Sequence, residues 1–127
     1  MRTNLLMAAL IALSISACSD TTKSNTVKQT LTLEQKAQAQ QMLTEKGLLR
    51  YEKSPLIGRK ITDEQALFSL ADATVSRADG TVLYYFQVWR SGRPLDYDGP
   101  ADDGDGGVTI EVANGVIVES RYVVAEF

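Results

Sequence analysis

The stretch TVLYYFQVW, residues 81–89, decides how the chain folds. Val82, Tyr84, Phe86 and Val88 alternate with Leu83, Tyr85, Gln87 and Trp89, a period of two that predicts a β-strand. The strand is apolar on both sides, so one face alone does not account for it. Some of Leu83, Tyr85 and Trp89 should either lie beneath a helix or stay exposed as a contact patch. Tyr85 and Trp89 are therefore the candidate partner-contact residues, and at least one aromatic ring is expected to be exposed.

Asp79-Gly80 marks a turn ahead of this strand. Downstream, GVTIEVA and VIVESRYVV flank Asn114-Gly115, a strong hairpin signal. Setting Val112 opposite Val118, Ile110 opposite Ser120 and Val108 opposite Tyr122 keeps the aliphatic side chains on one face. That register needs a three-residue connection, Asn114-Gly115-Val116, or a bulge beside the turn. It also sets Thr109 across from Arg121 and Glu111 across from Glu119, making the opposite face polar.

Two helices precede the strands. In TLEQKAQAQQMLTEKG, Thr32 and Gln35 have capping-box spacing and Gly47 is a C-terminal stop, predicting a helix at 33–46. Its apolar side is thin, comprising Leu33, Ala37, Met42 and Leu43. Thr62 and Gln65 repeat the spacing, and Asp63 and Glu64 put negative charge at a second helix start, predicting 63–72 with Leu67, Leu70 and Ala71 on one face. The expected fold class is α+β, with two N-terminal helices packed on a small three-stranded antiparallel sheet in a single domain over 32–127.

The N-terminus has a different character. Leu5 to Ala17 is an uncharged run of apolar and small residues behind Arg2. It is too short for a membrane span of about 20 residues and has the layout of an export signal. The run ends in Ile15-Ser16-Ala17-Cys18, which resembles the lipobox of bacterial lipoproteins. The resemblance implies removal of a signal peptide at 1–17 and attachment of acyl chains, palmitate among them, to Cys18 as the first mature residue. Each buried methylene contributes about 0.8 kcal/mol, so two or three chains anchor a protein where one does not. With Ser19 in place of an aspartate directly after the cysteine, the likeness implies the outer membrane, periplasmic face. Residues 18–31 would be the lipidated cysteine and a flexible tether, the polar SDTTKSNTVKQT reaching about 20 Å.

Charge and absences bound the function. The chain carries 13 Lys+Arg and 16 Asp+Glu, and loss of Arg2 with the signal takes the net charge from −3 to −4. A surface of that sign argues against nucleic acid as a partner. There is no histidine and Cys18 is the only cysteine, which excludes Ser/His/Asp and Cys/His catalysis, His- or thiolate-ligated zinc, and a disulfide staple. No cofactor is expected. A hydrolase working with carboxylates alone would need a cleft with two facing acids, which so small a domain rarely offers, so the expectation is no enzyme.

The order of helix, helix and three antiparallel strands after a lipobox resembles the small outer-membrane lipoproteins of the SmpA/OmlA (BamE-like) group. The Gly-x-x-Thr turn that opens the second helix there corresponds to Gly58–Thr62, one residue longer, and the strands to Thr81–Trp89 and Val108–Val124. That likeness implies an accessory role in outer-membrane protein assembly or envelope integrity, with an envelope protein as partner. Ile61 to Ala71, ITDEQALFSLA, also resembles the opening helix of the PepSY domain, which implies binding or inhibiting a peptidase. Both likenesses point to binding without catalysis.

Between the first two strands, SGRPLDYDGPADDGDGG gathers Asp96, Asp98, Asp102, Asp103 and Asp105. Closely spaced carboxylates suit calcium, but the EF-hand spacing is absent. Calcium at these five residues is disfavoured, and Ser91–Gly107 is expected to be a mobile, self-repelling loop with no metal site. For the anchor, metabolic labelling with a palmitate analogue should mark the wild-type chain and leave Cys18→Ala unlabelled. An exported wild type that takes up no label would overturn the anchor.

Overall fold

The computed structural model describes residues 25–50 and 54–125. The signal segment 1–17, Cys18 and the first residues of the expected tether lie outside the described residues. Within them the sheet has five strands, β1 (Asn25–Lys28), β2 (Ala73–Ser76), β3 (Val82–Val88), β4 (Gly106–Ala113) and β5 (Val116–Val124), each antiparallel to the next in the order β1-β2-β3-β4-β5. This corrects the expected three-stranded sheet. Two short strands extend it, one cut from the polar stretch read as tether and one from the segment after the second helix.

β3 explains the extra strands. It lies in the middle of the sheet, so both of its edges need backbone partners, and β4 supplies only one. Ala73-Thr74-Val75-Ser76 supplies the other, folding back through Arg77–Thr81, where Gly80 takes a φ of 91° and the Asp79 carboxylate accepts the N–H and hydroxyl of Thr81. β1 then caps β2. Gln29 fastens the junction, its backbone N–H donating to Asp72 O and its side-chain amide to Ser69 O and Ala71 O.

Pairing on β3 also shortens the second helix, which was expected over 63–72. A 3₁₀ turn, Ile61–Glu64, leads into a single α turn, α2 (Gln65–Phe68), with no side-chain cap. At its start Ile61 N–H is held by Gly115 O, and Lys60 bridges to Val116, so this entry is fixed by β5 and not by Thr62. At its end Asp72 N–H donates to Tyr85 O, so the chain has already joined the ladder where a third helical turn would have run.

The first helix forms much as its sequence signals require, as α1 (Leu33–Glu45). The Thr32–Gln35 capping box is reciprocal. Gly47, at φ 72°, closes the far end with bonds from Gly47 N–H to Thr44 O and Leu48 N–H to Leu43 O, which also brings Leu43 and Leu48 into the core. Leu33 and Ala37 face outward, so the helix buries only Ala39 and Leu43.

One face of the sheet is the core. Phe86, Val88, Val108, Ile110, Val112 and Ile117 pack against Leu43, Leu48, Leu56, Leu67, Phe68 and Ala71. Phe68 meets the ring of Tyr84 edge-on at 4.6 Å. Glu64, buried at the margin, accepts Lys46 Nζ at 2.8 Å and Arg59 Nε at 2.7 Å, joining the end of α1 to the 3₁₀ turn. In the last hairpin Asn114 and Gly115 both have positive φ and form a two-residue loop, with Ala113 opposite Val116. The anticipated bulge is present between Glu111 and Val112, so Val112 pairs with Ile117 instead of Val118. Ile110–Ser120, Val108–Tyr122, Thr109–Arg121 and Glu111–Glu119 pair as expected.

Because Ile110 is wholly enclosed, Ile110→Ala should lower unfolding free energy by about 2–5 kcal/mol. Val123→Ala, at a residue 59% exposed on the other face, should cost no more than about 0.5 kcal/mol. Urea denaturation of the two variants beside the wild type measures the contrast.

Candidate functional site

The second face of the sheet follows from the same registers. Val75, Leu83, Glu111 and Glu119 form one row across it, Ala73, Tyr85, Thr109 and Arg121 the next, and Gln87, Gly107 and Val123 a third. No helix residue lines either hollow on this face. Two ion pairs cross the upper rows, Arg77 Nη1 to Glu111 Oε2 at 3.5 Å and Arg121 Nε to Glu119 Oε2 at 3.4 Å. Both are at the surface and contribute little to stability.

In the third row the floor is glycine. A side chain at Gly107 would strike the Tyr85 ring, and one at Gly106 would strike the carbonyl of Val123. Tyr85 therefore lies across bare backbone, its hydroxyl donating to Gln87 Oε1 at 2.8 Å, while Gln87 Nε2 donates to Gly106 O. Burial, and then the charge of Asp72, raise the phenol's pKa above its ordinary value. Beside the ring is a hollow of about 210 Å³, walled by Tyr85, Thr109, Val123, Ala101 and Ala125. Its lining is mostly apolar, so it can take an apolar side chain, and a Val- to Phe-sized group would gain there at most the ~1.5–3 kcal/mol of full burial.

The acidic loop ends at this socket, and one of its aspartates does something the composition does not announce. Asp105 is fully buried. Its Oδ1 accepts Arg90 N–H and Arg93 Nε, and its Oδ2 accepts Arg93 Nη2 at 2.8 Å and Asp102 N–H. Burial pushes the carboxyl pKa up, but the Arg93 bonds and the two backbone donors outweigh it and hold the group down at about 2. Arg93 in turn lies 4.2 Å over the Tyr97 ring and 5.7 Å from the centre of the Trp89 ring, and the two rings meet edge-on at 5.0 Å. The stretch expected to be a mobile loop is thus tied to the sheet at Asp105.

Of the candidate residues, Tyr85 lies at the centre of the open face. Trp89 stands apart from it, clasped by Arg93 and Tyr97, and both rings are half-buried. Cys18 lies outside the described residues. The five aspartates do not converge, since Asp105 is enclosed while Asp96, Asp98, Asp102 and Asp103 are exposed. Among the described residues, no three acidic, histidine or cysteine side chains form a group that could hold a metal ion. Sequence reasoning missed Gly106, Gly107, Arg93 and the separate role of Asp105. The available signal was the phase of β3, which puts Tyr85 on the same face as Gly107 and one row from it once the pairing with β4 is known. No family model matches the chain, nor does any curated protein or solved structure.

The loop's attachment should depend on acid. Asp105 has a folded-state pKa depressed below the ordinary value of about 3.9, so its contribution is fully present above about pH 4. It should be lost as pH falls from there towards 2. Acrylamide quenching of Trp89 should increase through that window, and Asp105→Asn should show the increased quenching already at neutral pH.

Proposed function

We propose that the protein is a lipid-anchored, periplasm-facing binding or accessory protein, whose open sheet face takes an apolar anchor from an envelope protein. The observation that carries this reading is the socket over Gly106-Gly107, bordered by Tyr85 and by Val123 at 59% exposure. An apolar hollow ringed by polar groups is the form of a protein contact, in which one or two buried side chains provide most of the binding energy. Around it Arg77, Glu111, Glu119 and Arg121 alternate in sign. A partner of mixed charge is accommodated there better than a strongly acidic or basic one.

The anchor on Cys18 belongs to the same reading. A lipid tether restricts the domain to the layer next to the membrane and raises its effective concentration for membrane proteins there, so modest contact energy suffices. The proposed role is non-catalytic.

A photo-crosslinking residue in place of Val123, expressed in cells with the anchor intact, should yield one discrete adduct with an envelope protein. The same residue in place of Glu34, on the exposed side of α1, should not. Tyr85→Ala should reduce the adduct from position 123 by about tenfold, equivalent to about 1.4 kcal/mol. No adduct from position 123, or the same adduct from both positions, would overturn the reading.

A further inference from the structure

A second hollow, of about 90 Å³, lies between the first turns of α1 and the end of β3, beside the segment that enters β2. Lys36 and Ala39 border it from the helix, Asp72 from the start of β2, and Trp89 and Tyr97 from the far side. Gln87 also borders it and is the one residue it shares with the hollow beside Tyr85.

Two residues of opposite charge, Lys36 and Asp72, line this space without forming an ion pair. Asp72 is half-buried, and its Oδ2 accepts Gln87 N–H at 2.7 Å. Burial raises the pKa of its carboxyl, while the Gln87 bond and the charge of Lys36 act against the rise. Lys36 thus acts on the carboxylate through space, with no ion pair between them. The other cation nearby, Arg93, is bound to Asp105 and stacked on Tyr97 and Trp89, so it holds those rings in place.

The hollow that both side chains line is small, about 90 Å³, yet roomier than a single water molecule needs. A simple amine placed there would meet Asp72 favourably but would be opposed by Lys36, and a simple acid would meet the reverse. A molecule carrying both charges satisfies both side chains, and its carbon skeleton can rest on Ala39 and Trp89. We propose that this hollow is a binding site for a small zwitterion the size of the smallest amino acids, with its ammonium towards Asp72 and its carboxylate towards Lys36.

Trp89 is the only tryptophan in the chain and lines the site, so it reports occupancy directly. The full-length lipoprotein in detergent micelles would be titrated with glycine, methylammonium and acetate while tryptophan fluorescence is followed. Glycine should give a saturable change, with each half-ligand at least tenfold weaker. Asp72→Asn and Lys36→Met should each weaken glycine at least tenfold while far-ultraviolet circular dichroism is unchanged. If Asp72→Asn does not fold, Lys36→Met alone decides. No saturable response to glycine, an equal response to methylammonium or acetate, or unchanged glycine affinity in Lys36→Met would overturn the proposal.

Discussion

The rest of the structure depends on the demand that β3 makes on its surroundings. Its seven residues need partners along both edges, and one of its two apolar faces must be removed from water. β4 meets half of the first requirement, and the hairpin back to β2 meets the other half. The second is met by Leu43, Leu67 and Phe68, which reach the sheet from α1 and α2. Forming β2 takes residues that would otherwise extend α2. The helical layer is accordingly small and leaves the hollows beside Tyr85 and Arg121 without a helix residue in their walls.

Two enclosed carboxylates hold the irregular segments to this frame. Glu64 draws together Lys46 at the end of α1 and Arg59 beside β5, and Asp105 gathers Arg93 and two backbone N–H groups at the start of β4. Buried ion pairs add little net stability against apolar replacements, yet removing one partner strands the other. Their effect here is positional. Glu64 sets where the 3₁₀ turn lies, and Asp105 sets where the acidic loop meets the socket wall.

Much of the frame was legible in the sequence. The alternation over 82–88, the Asn114-Gly115 turn, the bulge beside it and the Thr32–Gln35 cap are local signals, and each appears where residue chemistry requires it. What was not legible depends on partners distant in sequence. Asn25–Lys28 has no strand pattern and is exposed at all four residues, becoming a strand only because β2 offers an edge. The Thr62–Gln65 spacing signals a cap, but Gly115 O takes hold of Ile61 first. Among five aspartates in one loop, nothing local separates Asp105, whose role arises from an arginine twelve positions away. Gly106-Gly107 reads as loop composition until Tyr85 is placed across it.

The binding account and the fold meet at one claim, that the Tyr85 face of the sheet is open while the Phe86 face is closed. Nuclear magnetic resonance of the protein with a freely diffusing paramagnetic relaxation agent tests it directly. The account predicts strong relaxation of the Val123 methyls, measurable relaxation of the Leu83 methyls and Tyr85 ring, and none at Phe86, Ile110 or Ile117. Protection of Val123 and Leu83 equal to that of Ile110 would mean that another element covers the face, and would contradict it.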